Sequence, residues 1–538
     1  MKDAKNSQSK INKNEIKEKQ AIEFIQTGKL KEAEEIYQEL VAKGTLNHVV
    51  YGNLAAIYQI KGEKEAQINL FKEALKLKHD YPQAHYNLGN ILKEQGDTNG
   101  AIDSYQQAIK YKHDYPQAHY NLGNTLKEKG DLNGAIASYQ QALKYKHDYP
   151  EAHCNLGVAL EEQGDLNGAI ASCQQALKYK HDYPEAHCNL GVALEEQGDL
   201  NGAIASYQQA LRYKPDYPEA LCNLGQAFLS NGEYQKGWLK LEYRFKKSKK
   251  HFIPHAQPPI PQWQGEVLDS HERLLVVSEQ GLGDTIQFMR YIPYLRQQGI
   301  DVSFCAQIKL HNLIKVSGIT SNPLTPGQGN NVKEGKWIPL LSVPQFLDIT
   351  PENPIITQPY IQSSNELTNQ WNSILSTETK PIIGINWQGN PKVEINNLKG
   401  RSIPLENFSL VAKNLDYKFL SLQKGFGSEQ LKTCSFKNRF VHCQDQINIT
   451  WDFLETAAII ANCDLVITSD TSVAHLAAGM GKTTWCLLHY VPEWRWGQHN
   501  DETFWYPSMK LFRQQERNNW LEVIERVSAQ LLSFGLKD

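Results

Sequence analysis

No run of this chain is apolar for long enough to cross a bilayer. Its opening segment, Met1 to Lys19, is polar and lysine-rich, without the apolar stretch of a signal peptide. Cysteine is sparse and scattered: nine residues with no Cys-x-x-Cys pair. That excludes the common zinc and dithiol spacings and suits a reducing compartment. The expectation is a cytoplasmic protein with no disulfide frame and no metal site. An excess of one charge is also lacking. The formal net charge is −3 over 538 residues, too balanced for a dedicated nucleic-acid binder. There is no P-loop, no Gly-x-Gly-x-x-Gly and no Asp-x-Asp, so no motif demands a cofactor.

What is present is a repeat. Tyr-Pro recurs at Tyr81-Pro82, Tyr115-Pro116, Tyr149-Pro150, Tyr183-Pro184 and Tyr217-Pro218, always 34 residues apart. A fixed period of that size means a solenoid of helix pairs. Pro82 suits a first helical turn, where its missing N–H costs nothing. Leu88, Ile91 and Leu92 form an apolar face at helical spacing. Gly96 ends this first helix, and Asp97 can cap the second. Leu88, Gly89, Ala101, Tyr105 and Ala108 resemble the tetratricopeptide (TPR) consensus. The unit departs where His85 replaces Trp, and where His79, His113, His147 and His181 replace a Pro that only Pro215 keeps. The spacing places a disordered segment at 1–13 and a solenoid of six to seven units at 14–247.

Within the repeat, Asn53, Asn87, Asn121, Asn155, Asn189 and Asn223 form one column on the first helix of each pair. That helix lines the concave face of a TPR superhelix. An amide donates and accepts, so such a ladder can clasp an extended peptide backbone. The repeat arrays of protein O-GlcNAc transferases carry a similar ladder. Duplication of the whole unit would also produce the column, so both readings stand. The histidine column, His85, His119, His153 and His187, suits a stacked surface better than a shared metal.

The second half changes character. A basic run from Lys246 to Lys250 and prolines from Pro254 to Pro261 read as a linker or packed connector over 248–270. Strand–loop–helix units follow. Leu274–Ser278 leads into Glu279-Gln280-Gly281-Leu282-Gly283-Asp284. Ile382–Trp387 leads into Gly389-Asn390-Pro391, and Asp464–Thr468 into Ser469-Asp470-Thr471-Ser472. Alternating strands and helices predict an α/β region with parallel sheets in two lobes, 271–375 and 380–538, with a cleft between them. Glycine-rich turns before helices leave backbone N–H groups where phosphate can bind, although tight turns need glycine anyway.

These turns, together with Trp387-Gln388-Gly389-Asn390-Pro391, Arg401-Ser402-Ile403-Pro404-Leu405 and Ser469 through His475, resemble glycosyltransferase family 9. This is the heptosyltransferase-like group with a GT-B (double Rossmann-like) fold. Pro492-Glu493-Trp494-Arg495-Trp496 and Trp505 through Arg513 also look typical of TPR fusions to that module. The resemblance spans roughly 265–535. It implies an inverting, metal-independent transfer from a nucleotide sugar, with the donor on the C-terminal lobe and the acceptor on the N-terminal lobe. It matches Asp284 to the general base, and Asp470, Thr471 and His475 to the donor site. Gly389, Asn390, Lys392, Arg401, Ser402 and Ser472 complete the donor-side set, with Lys392 and Arg401 as cations for the leaving diphosphate. The bland readings remain: Asp284 and Asp470 as helix caps, His475 as packing, Arg401 paired with Glu406. Beside the enzyme stand two alternatives: a TPR scaffold with an inactive module, and a transferase acting on a glycan. The first lobe looks short after Ser317, which leaves the acceptor site open. Neither the sugar nor the nucleotide follows from these residues.

Overall fold

The computed structural model describes residues 2–247, 253–269, 271–394, 400–414 and 416–534. The chain forms two compact units, Met1–Ala193 and Leu194–Asp538. A helix runs over Lys2–Gln26, where the sequence reading has disorder at 1–13; this segment has no proline or glycine to stop a helix. Thirteen repeated helices follow among the described residues, from Leu30–Ala42 to Tyr234–Leu241.

The repeat is built by local chemistry. Proline opens the first helix of the pair at Pro82, Pro116, Pro150 and Pro218. Aspartate caps the second. Asp97, Asp131 and Asp165 each accept the N–H of the glycine three residues on at 2.9 Å. A Cβ on Gly89 would lie 2.7 Å from the Tyr105 ring, so glycine is what lets the two helices close. The histidine column has a structural role. His85 stacks on Tyr111, His119 on Tyr145 and His153 on Tyr179, each with centroids 5.7 Å apart. Each Nε2 lies 2.8–3.0 Å from the carbonyl oxygen of the histidine six residues earlier. A flat ring with one N–H fills the consensus tryptophan position.

In the second unit, β1 (Arg273–Val277), β2 (Asp301–Cys305) and β3 (Lys336–Pro339) form a parallel sheet in the order β2-β1-β3. A second parallel sheet contains β4 (Ile382–Asn386), β5 (Lys418–Ser421), β6 (Leu465–Ser469), β7 (Thr484–Leu488) and β8 (Met509–Arg513). Its order is β5-β4-β6-β7-β8. β4, β6 and β7 are buried along their whole length, which explains their unbroken apolar character. The order reverses between β4 and β6, so a crevice is expected beyond their C-terminal ends.

The proline-rich segment is a packed connector. Trp263 N–H donates to the Trp337 carbonyl at 2.8 Å, Trp337 N–H donates to Pro261 at 3.0 Å, and Trp263 is buried. Residues 248–252, including most of the basic run, lie outside the described residues, as does 270.

The last repeat is welded to the first sheet. Trp238 Nε1 donates to the Ile349 carbonyl at 2.9 Å, and the Trp238 ring meets Trp494 edge-on. Arg244, just beyond, holds Glu279 through Nε at 3.0 Å and Nη2 at 2.9 Å. Neither side chain has any exposed surface. The same guanidinium reaches Ser342 Oγ at 2.8 Å and Glu242 at 2.7 Å, and Leu341 N–H donates to Glu279 at 3.0 Å.

Two outcomes follow from this packing. Arg244→Leu leaves Glu279 buried without its counter-ion and should cost about 3–5 kcal/mol in urea unfolding. Arg244→Met combined with Glu279→Leu should lose less than that single change. The second concerns pH. Burial lowers the basicity of His85, His119, His153 and His187 below the ordinary 6.5. The unfolded chain therefore takes protons first as pH drops. Their contribution to stability is complete above 6.5 and is lost as pH falls through the lowered values. The melting temperature should fall between about pH 7.5 and 5.5, and less so when all four are tryptophan.

Candidate functional site

Two helix starts, one from each sheet, meet in the second unit. β1 leads through Glu279 and Gln280 into the helix Leu282–Phe288, and β6 leads through Asp470 into the helix Ser472–Gly479. Gln280 sits at φ +59°, a left-handed conformation that costs a non-glycine residue about 1–3 kcal/mol. Its neighbour Glu279 is locked by Arg244, which holds the turn in place. Gly283 makes the close approach possible: a Cβ there would lie 3.0 Å from His475 Cδ2 and 3.5 Å from Ser472 Cα.

Asp284 stands at this junction with both oxygens engaged. Oδ2 accepts the Gly281 N–H at 2.9 Å, and Oδ1 pairs with Arg495 Nη2 from the other sheet. The cap reading and an ion pair are both realised in one carboxylate. Arg495 also holds Glu493 through Nη1 at 2.8 Å, lies over the Trp494 ring at 4.8 Å, and has a buried Nε with no hydrogen-bond partner. Two carboxylates thus share one guanidinium, and the charge of a third, Asp470, acts on it. Burial pushes the Glu493 carboxyl up to about 8 against the pull of Arg495, although 20% of its side chain meets solvent. Burial also raises Asp470, opposed by the Trp496 indole and by Arg495 and Arg401. Arg495 itself is held charged: burial acts against it, but Glu493, Asp284 and Asp470 outweigh that.

His475 is buried. Its Nδ1 lies 2.9 Å from the Tyr506 hydroxyl, and its ring stacks on Trp496 at 5.4 Å. Burial, with Arg495 and Arg290 nearby, pushes its pKa well down and keeps it neutral. Its surroundings are those of a packed residue. Thr471 precedes its helix without capping it; the hydroxyl bonds Asn386 Oδ1 at 2.9 Å, so the first N–H groups after Thr471 carry no side-chain cap.

Among the residues that the resemblance matches to a donor, Arg401 lies across Gly389, where a Cβ would come within 2.3 Å of Nη2. Its partners are Glu394 at 3.2 Å and the Asp470 carbonyl at 3.3 Å, not Glu406, which instead accepts from Ser435. Ser402 Oγ donates to the same Glu394 at 2.6 Å. Asn390 Oδ1 accepts the Lys392 N–H at 3.1 Å, and the Lys392 side chain is exposed. A cavity of about 480 Å³ opens beyond β5, lined by Gln423, Lys424, Gln444, Asn448 and the exposed Trp451. Burial brings Lys424 down to about 8, and its ammonium bonds Thr450 Oγ1 at 3.0 Å. Arg244, Glu493, Arg495, Gln423 and Lys424 were missing from the candidates read in the sequence. The signal available for Arg495 was its place between two tryptophans. Gln423 carried none.

The asparagine column is half-buried and largely spoken for. Asn155 Nδ2 donates to Tyr120 at 3.0 Å and to Asn124 at 2.8 Å. Asn121 makes the same pair of bonds to Tyr86 and Asn90. Asn53 donates to Tyr37, and Asn189 to Cys154 Sγ at 3.2 Å. Asn87 accepts from Gln83, and Asn223 accepts from Lys247 at 3.1 Å. At four of the six positions, then, an N–H expected to face a peptide pins one repeat to the one before it. Among the described residues, no group of three or more His, Cys, Asp or Glu could hold a metal ion, and no helix is long and apolar enough to cross a membrane.

Comparison with known proteins places the repeats. The TPR-repeat family model matches residues 55–96, 89–130, 123–164, 161–198 and 193–232, so the chain carries TPR repeats. It is 23% identical over 328 residues to protein FlbA of Caulobacter vibrioides, covering 57% of this chain and 54% of that protein; the chain spans about half the length of that relative. The crystal structure of YrrB, a TPR protein with an unusual peptide-binding site, is similar at 21% identity and TM-score 0.32. It covers 34% of this chain and 95% of YrrB. MamA of Desulfovibrio magneticus RS-1 is similar at 19% identity and TM-score 0.30, over 31% of this chain and 96% of MamA.

The bonds of the asparagine column set an order of costs. Asn155→Ala removes two oxygen-directed bonds and should cost about 1–2 kcal/mol in thermal or urea unfolding. Asn189→Ala, which loses a weaker bond to sulfur, should cost less.

Proposed function

We propose that the α/β region is a metal-independent, inverting glycosyltransferase of the GT-B kind, and that the TPR repeats recruit a protein acceptor or partner. The observation that carries this reading is the meeting of two helix starts at the C-terminal ends of two parallel sheets. One bears Asp284, and the other follows Thr471 uncapped. The second supplies N–H groups for a diphosphate, and Arg401 adds a cation beside it. The cavity beyond β5 is of a size to take a nucleoside. In the transfer, the acceptor oxygen bonds the anomeric carbon and its proton passes to Asp284. The bond from that carbon to the diphosphate breaks, and the electron pair leaves with the diphosphate. The motifs shared with family 9 point to hexosyl or heptosyl transfer in the cytoplasm.

A second reading is favoured by one observation. Both oxygens of Asp284 are occupied, as they would be in a TPR scaffold whose transferase module is inactive. A panel of nucleotide sugars separates the two. A transferase should show a raised melting temperature with at least one donor, because a ligand of the folded state alone stabilises it. It should also hydrolyse that donor slowly, and Asp284→Ala should abolish the hydrolysis. Absence of any shift across the panel would sink the enzyme reading and leave the scaffold. Mass increments on a co-expressed protein would mark a protein acceptor rather than a glycan.

A further inference from the structure

Arg495 is the least settled charged group in the site. Nine-tenths of its side chain is buried, yet its Nε donates to nothing. Its backbone cannot drift. Trp505 Nε1 donates to the Arg495 carbonyl at 3.0 Å, and Arg513 grips the next two carbonyls, of Trp496 at 2.6 Å and Gly497 at 3.0 Å. Only the side chain is free to change partners. Of its two present partners, Glu493 lies two residues away on the same loop, and Asp284 belongs to the other sheet, on the helix packed against Ser472 and His475. Beside it lie the uncapped helix start after Thr471 and the Arg401 guanidinium, held at the Asp470 carbonyl. A planar guanidinium offers five N–H donors in a fork that fits phosphate as well as carboxylate.

We infer that Arg495 is a ligand of the donor's diphosphate, and that it takes up this role by releasing Asp284. The inference rests on the glycosyltransferase reading and adds a control to it. In the empty site, Arg495 masks one oxygen of Asp284. A diphosphate at the uncapped helix start draws the guanidinium across, as the anion with more charge and more acceptor oxygens. Asp284 Oδ1 then faces the acceptor hydroxyl. The base becomes available only when there is a donor to attack, and both oxygens of Asp284 being occupied becomes a resting state instead of a sign of inactivity. Glu493 holds Nη1 at 2.8 Å throughout, and Nη2 returns to Asp284 when the diphosphate departs.

Calorimetric titration of the full chain tests this, with ADP, UDP and GDP against adenosine, uridine and guanosine. The wild type should bind one diphosphate about tenfold or more tightly than its nucleoside. Arg495→Gln should remove that advantage and leave nucleoside affinity unchanged. Asp284→Asn should tighten diphosphate binding severalfold, since the arginine no longer has a carboxylate to leave. A purely structural role for either residue would not produce that gain. Retention of the advantage in Arg495→Gln overturns the inference while leaving the enzyme reading intact. So does unchanged or weaker diphosphate binding in Asp284→Asn. If the wild type binds none of the six, the glycosyltransferase reading itself fails and this inference falls with it.

Discussion

The second unit depends on one buried ion pair. Arg244 leaves the last repeat helix and ends against Glu279, the first residue of the turn that carries Asp284. A guanidinium and a carboxylate without exposed surface are stable only as a bonded set, and this set is complete. Ser342, Glu242 and the Leu241 carbonyl take the remaining guanidinium N–H groups, and the Leu341 N–H donates to Glu279. The geometry of the Gln280 turn is therefore supported from the repeat side. Within the second unit the last repeat helix and the first sheet are packed together, and the proline-rich connector is pinned along that sheet.

Around the junction, electrostatics are set by an imbalance. Asp284, Asp470 and Glu493 gather about Arg495, and burial makes ionisation of Asp470 and Glu493 unfavourable. Asp284 pairs with Arg495, while burial drives Glu493 and Asp470 toward their protonated forms.

Much of the fold was legible because it is periodic. Proline, glycine and aspartate recur at fixed offsets, and each has a single backbone task, so the helix pairs could be placed from one unit. The strands β1, β4 and β6 were legible as apolar runs because they are buried along nearly their whole length, whereas β3, β5 and β8, with charged and partly exposed positions, were not read. Of the candidate residues, those carried by a turn motif could be placed from sequence: Asp284, Gly389, Asp470 and Thr471 all stand beside a strand end. Arg244, Gln423 and Arg495 were not, since their partners lie 35, 37 and 211 residues away. The asparagine column was read in the right place, but the partners of its N–H groups were hidden. A period of 34 aligns a side chain with its copies and says nothing of the neighbouring helix it bonds.

The sequence by itself determined the repeat, its helix boundaries and the positions of the two glycine- and aspartate-bearing turns, because each follows from backbone preferences within a few residues. Only the tertiary structure decided that His85 and its copies are stacking groups and that the asparagines join repeats. It alone brought Arg495 to Asp284. These depend on which surfaces meet across the chain, and burial then sets the charge each group can carry.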